Sequence, residues 1–176
     1  MLRRFKRIWP TGAMALALAA PVIGHADTAK NLGVAARALT FLENAPSGSA
    51  VLGVVYDPSK PSSVAEKNAV MAALASGYNA GSLTLTGKAV EASAVSGAGG
   101  VAALYVTGGV NYAAVGAAAK AKHLVTVGSD PACVNSGACV MGVSTDPKVE
   151  IIVNQSAAAA VGAAFKAAFR MMIHEI

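Results

Sequence analysis

The stretch His123–Asn154, HLVTVGSDPACVNSGACVMGVSTDPKVEIIVN, sets three short apolar runs of strand character close together. They are Leu124–Val127, Ala138–Val143 and Val149–Val153. Asp, Pro, Asn, Ser and Gly fill the gap between the first two, residues that favour turns through a fixed φ, tolerance of φ > 0, or bonds to their own backbone. The second and third runs are joined by Thr145-Asp146-Pro147, which predicts an antiparallel hairpin at one edge of a sheet. The third run feeds an Ala-rich helical tail. Its helix starts at Asn154 or Ser156, with Val161, Phe165, Ala168, Phe169 and Met172 as the buried stripe and Gly162 as a packing or kink position.

Upstream, helical and strand patterns alternate. Leu32, Ala35, Ala36, Leu39 and Leu42 share one helical stripe within Thr28–Asn44. Ala50–Tyr56 is a continuous apolar run, as expected of a strand covered on both faces. Ser63 and Glu66 have the spacing of a capping box, predicting a helix to about Ala75 that buries Val70, Met71 and Leu74. Ser82–Val90 alternates in its first half, the pattern of a half-exposed strand. Glu91–Gly100 reads as a flexible Ser/Ala/Gly loop, and Val101–Val106 as a second doubly covered strand. Asn111 is placed to cap a helix running to about Lys122. Strands alternating with helices imply a largely parallel sheet with helices on both faces. The expected fold is a single three-layer α/β domain, mostly parallel, with an antiparallel C-terminal hairpin.

Arg3, Arg4, Lys6 and Arg7 precede an apolar run, Gly12–Ile23, and Gly24-His25-Ala26 supplies small residues at a cleavage site. The run is shorter than the ~18 residues that cross a bilayer as a helix. Residues 1–26 therefore read as a signal peptide, residues 27–176 as the mature domain, and the periplasm as its compartment. Of the chain's 14 Lys and Arg, four lie in that leader, so 10 basic side chains face 9 acidic ones afterwards. The near balance removes any argument for nucleic acid or an anionic membrane surface. Cys133 and Cys139, six positions apart in an exported chain, read as a disulfide closing a short loop. A metal site needs more ligands than His123 nearby, and the pair lacks the CxxC spacing of a redox centre.

Candidates for chemistry are few. His123 and His174 are the histidines after the leader, no GxSxG elbow is present, and Ser129-Asp130 adjoins His123 only in sequence. Gly97-Ala98-Gly99-Gly100 precedes a strand instead of following one, so the dinucleotide-binding context fails. Met171-Met172 reads as core. No cofactor or metal is expected, and no enzyme. Ligands of open α/β sheets sit beyond the carboxyl ends of parallel strands. Here those ends carry Tyr56, Asp57, Ser59 and Ser63, then Tyr105, Thr107, Asn111 and Tyr112, then Ser129 and Asp130. Helix N-termini near Ser63 and Asn111 would favour an anionic group.

The tail from Leu124 to Ile176, with its Ile151-Ile152-Val153-Asn154 segment and small-residue helix, resembles the C-terminal half of YfiR-like periplasmic proteins. That resemblance implies a regulator docking to the periplasmic part of a membrane signalling protein, often a diguanylate cyclase, and leaves room for a homodimer. The loops Asp130–Gly137 and Glu91–Gly100 would then be contact sites. The segments VLGVVYDPSKPSSVAEKNAV and ALYVTGGVNYAAVGAAAKAKHLVTVGSDP are similar to one lobe of the periplasmic substrate-binding proteins of ABC importers. Those proteins place two lobes around a cleft. This second resemblance implies a small-molecule ligand.

Overall fold

Helix α1 (His25–Leu39) buries Leu32, Ala35, Ala36 and Leu39 on one stripe, at the helical spacing of the sequence. The structure, a computed structural model, describes residues 25–176, with side chains from residue 27. The expected signal peptide lies outside the described residues except for His25 and Ala26, which open α1. The chain continues as β1 (Gly48–Tyr56), α2 (Pro61–Leu74), β2 (Tyr78–Ala80), β3 (Leu83–Glu91) and a 3₁₀ segment (Ala92–Gly97). Then come β4 (Ala103–Val106), α3 (Tyr112–Lys122), β5 (Val125–Gly128), α4 (Pro131–Asn135), β6 (Met141–Ser144) and β7 (Glu150–Val153). Two short helices, α5 (Gln155–Val161) and α6 (Ala167–Arg170), and a final strand, β8 (His174–Glu175), complete it.

The strands form one sheet in the order β2-β3-β1-β4-β5-β6-β7-β8. Its centre, β3-β1-β4-β5-β6, is parallel throughout, while β2–β3 and β6–β7 pair antiparallel. From β1 the chain first moves outward to β3 and then returns to the other side at β4. The order therefore reverses between β1 and β4, which opens a crevice at their carboxyl ends. One core cluster joins the sheet to α1, α2, α5 and Phe169; the other joins it to α3, α4 and the 3₁₀ segment. The fold is the mostly parallel α/β sheet, covered on both faces, that the alternation of patterns predicts.

Several local expectations are corrected. The predicted hairpin forms, but β8 pairs parallel to β7 beyond it, so the hairpin is not the edge. The first helix stops at Leu39 instead of Asn44, and the last breaks at Gly162, whose φ of 73° is left-handed. The two breaks have one cause. Residues 41–43 and 164–166 pair with each other: Glu43 N–H donates to Ala164 O at 2.8 Å and Lys166 N–H to Phe41 O at 2.9 Å, around a Leu42–Phe165 bridge. Phe169 then reaches the core, stacked on Phe41 at 5.1 Å, while Ala168 is exposed and Met171 and Met172 are 89% and 64% exposed. The expected stripe and methionine core thus hold only at Val161 and Phe169, with Phe165 half-buried or less. The stretch expected as a flexible Glu91–Gly100 loop holds the 3₁₀ segment Ala92–Gly97 and is pinned by buried Val95 and Ala98.

Cys133, in α4, and Cys139 sit at disulfide geometry with Cα atoms 5.1 Å apart, and both are fully buried. The loop that they close lies between β5 and β6, inside the sheet and not along its edge. Cys139 Sγ packs where a Gly128 side chain would begin, so the pair underlies the carboxyl end of β5.

Candidate functional site

At the carboxyl end of β1 the chain turns at Asp57 into α2, whose first turn starts at Pro61. Lys60 occupies the N-cap position and no side chain caps the helix. The expected capping box is therefore absent. Ser63 lies inside the helix and points down into the crevice, fully buried. Its Oγ accepts from Asp57 N–H at 2.9 Å and lies 2.6 Å from Thr107 Oγ1. Thr107 donates its only hydroxyl hydrogen to Val55 O at 2.9 Å, so in the Ser63–Thr107 contact Ser63 is the donor. This buried hydroxyl pair ties the start of α2 to the β1–β4 reversal.

One turn further on, Glu66 does not reach back to its own helix. Its Oε1 accepts from Tyr105 OH at 3.0 Å and from Ser129 Oγ at 2.6 Å, and its Oε2 accepts from Gly108 N–H at 2.8 Å. A single half-buried carboxylate thus gathers α2, β4 and the residues following β4 and β5. Tyr105 is 1% exposed; burial, and then the adjacent Glu66 charge, push its phenol far above its ordinary range. Asp130, which caps α4 through Ala132 N–H at 2.9 Å, takes a short hydrogen bond from Tyr112 OH. Tyr112 in turn accepts from Gly109 N–H at 3.1 Å. Its phenol is pushed up to about 12, by partial burial first and the Asp130 bond second. Gly108 stands between the acids: a Cβ there would lie 3.7 Å from Glu66 Oε2 and 3.8 Å from Asp130 Oδ2.

The strand-end residues named from sequence fall into three groups. Tyr105, Ser129, Asp130 and Tyr112 converge around Glu66 and Gly108. Ser63 and Thr107 are close by but buried beneath them. Tyr56, Asp57, Ser59 and Asn111 lie at the rim. The Tyr56 ring carries Lys67 Nζ at 4.8 Å, and Asn111 Oδ1 caps α3 by accepting from Ala114 N–H at 3.2 Å. Asp57 is half-buried and accepts from both Ser59 Oγ, at 2.7 Å, and Ser59 N–H, at 2.9 Å; these bonds hold its pKa below the usual carboxylate value. Sequence reasoning missed Glu66 as a site residue. The available signal was its place on the second turn of the helix after β1, but the Ser63 spacing explained that position in another way.

The electrostatics run against the anion expected from the helix N-termini. Gly108 N–H is already taken by Glu66, and Gly109 N–H by the Tyr112 hydroxyl. Among the described residues the ion pairs are Lys30–Asp27 and Arg170–Glu175, so neither Glu66 nor Asp130 is neutralised by a protein cation. His123 is no partner for Ser129. It ends α3 in a left-handed conformation, at the amino end of β5, while Ser129 follows the carboxyl end. Six residues of near-extended chain separate them by roughly 20 Å.

No protein-family model matches this chain, and no curated protein sequence does either. Solved structures with the same open α/β fold exist. One is a conserved domain protein from Vibrio cholerae O1 biovar eltor, with TM-score 0.58 and 13% identity, covering 84% of this chain and 59% of that one. Another is the ABC domain in complex with L-Trp from Streptococcus pneumonia, with TM-score 0.59 and 13% identity, covering 85% of this chain and 60% of that one. At that identity the likeness is one of fold. The chain spans about three fifths of the length of each.

Proposed function

We propose that this chain is a non-enzymatic, exported small-molecule-binding domain that takes a ligand with a protonated amine at the carboxyl ends of β1, β4 and β5. The observation that carries this reading is the convergence of Glu66 and Asp130 on Gly108, with no ion-pair partner for either acid among the described residues. Half-buried carboxylates lacking a counter-charge favour an incoming cation, and the Gly108 backbone leaves space for it. Tyr112, bonded to Gly109 N–H and Asp130, flanks this position with aromatic surface suited to an organic amine. The fold likeness to a domain complexed with L-Trp, itself an amine, supports the choice of ligand class. The likeness to one lobe of an import-type binding protein supports a half-site completed by a second body across the crevice.

The test is thermal unfolding of the purified chain against a panel of amino acids and other organic amines, each paired with its N-acetylated form. A true ligand at about 100 times its Kd stabilises by about 2.7 kcal/mol. The expected result is stabilisation by a free amine, none by its acetylated form, and loss of the effect in Glu66→Gln. Equal stabilisation by both forms would overturn the reading.

A second reading, a periplasmic regulator docking on a membrane signalling protein, draws on the exposed apolar side chains Met171, Met172 and Val149. It predicts that envelope extracts yield an inner-membrane partner that Met171→Glu no longer retains.

A further inference from the structure

Away from the strand ends, α1 forms one wall of a groove of about 790 Å³. Val34, Phe41, Val149, Ile151, Phe169 and Met172 give it an apolar lining. Its volume lies within the range of small-molecule sites, which pair such a lining with a few placed polar groups. Val149 and Met172, 63% and 64% exposed, form an apolar lip where the groove opens to solvent. Two cations, Lys30 and Arg37, line the groove from α1. They lie seven residues apart, so about 10 Å along the helix. Lys30 is held by Asp27 at 3.5 Å, whereas Arg37 has no ion-pair partner among the described residues.

We propose that this groove is a second ligand site, separate from the Glu66 cluster, that binds an apolar molecule with an anionic head, the head on Arg37 and the apolar body along Val34, Phe41 and Phe169. A guanidinium on the wall of an apolar groove recognises a carboxylate or sulfonate through paired N–H donors. Other occupants fit the charge less well. The apolar run Gly12–Ile23 contains no acid and follows four basic residues, so it brings Arg37 nothing to bind. A second copy meeting this face on a two-fold axis would bring two Arg37 and two Lys30 into one interface, with Asp27 alone to offset them in each copy.

The full chain is titrated with the anionic dye anilinonaphthalene sulfonate and, separately, with the uncharged dye phenylnaphthylamine, and each titration is repeated with dodecanoate as competitor. The expected result is one saturable site from which dodecanoate displaces the sulfonate. Arg37→Glu should weaken the sulfonate about tenfold and the neutral dye by less than about twofold. Arg37→Gln, which removes the charge without adding an acid, should weaken the sulfonate severalfold, and Glu66→Gln should change neither dye. Equal loss of both dyes, affinity indifferent to Arg37, or competition between dye binding and self-association in sedimentation would each overturn the proposal. Because Glu66→Gln separates the two sites, loss of amine binding and loss of dye binding remain distinguishable.

Discussion

Replacing Ser63 with alanine distinguishes the hydroxyl pair at the β1–β4 reversal from the capping box written in the sequence. The change removes one oxygen from a fully buried position and adds no bulk. Asp57 N–H loses its acceptor at 2.9 Å, and Thr107 Oγ1 loses the hydrogen donated across 2.6 Å. A buried donor left without a partner costs about 1–3 kcal/mol, so the expected loss is about 2 kcal/mol. At about 2–4 °C per kcal/mol for a domain of this size, the midpoint should fall by about 4–8 °C. Urea unfolding followed by circular dichroism measures the loss directly, and a double-mutant cycle identifies the partner. Ser63→Ala with Thr107→Val should show a coupling of about 1 kcal/mol, and the coupling to Glu66→Gln should be well below it. A loss under about 0.5 kcal/mol, or coupling to Glu66 in place of Thr107, would refute the assignment.

Two glycines should respond in opposite ways to alanine. At Gly116 the new Cβ would meet Ala138 Cα at 2.9 Å, so Gly116→Ala should cost about 1–3 kcal/mol of strain, less up to about 1 kcal/mol of helix propensity. At Gly33 the obstacle is the tip of Tyr78, which can swing away, so Gly33→Ala should be neutral or stabilising in the same urea assay. The Tyr112 phenol is raised to about 12 from its ordinary 10, so the folded state holds that proton more tightly than the unfolded state. Its stabilisation is complete below pH 10 and is lost as the pH rises towards 12; the stability advantage over Tyr112→Phe should shrink across that window. Replacing Cys133 and Cys139 together with alanine should cost about 2 kcal/mol from loop entropy, with further loss because both sulfurs are buried. Equal urea midpoints for that variant and the oxidised chain would contradict the bonded pair.

Much of the architecture can be read from local pattern because the pattern is its cause. Ala50–Tyr56 and the Ala103–Val106 part of the expected Val101–Val106 strand are apolar because both faces of a central parallel strand are covered, and Asn111 caps α3 from its own sequence neighbourhood. The pattern fails where distant partners decide. Gly162 is compatible with a continuous helix, but the segment after it pairs with residues 41–43, more than a hundred positions earlier, and this ends both helices. Strands β2 and β8, three and two residues long, are too short to show a period and exist only through their neighbours. The site follows the same rule. The strand-end position of Tyr105, Ser129 and Asp130 is visible once a parallel sheet is assumed. The role of Glu66 depends on β1 and β4 being adjacent, which no local spacing records.

In the proposed function the Glu66 and Asp130 carboxylates select a cationic amine. Isothermal titration of the most stabilising amine into the native chain and into Glu66→Gln tests it most directly. The predicted result is a single site whose Kd rises about tenfold or more on loss of the charge, with no heat from the N-acetylated ligand. An unchanged Kd in Glu66→Gln, or equal binding of the acetylated ligand, would contradict it.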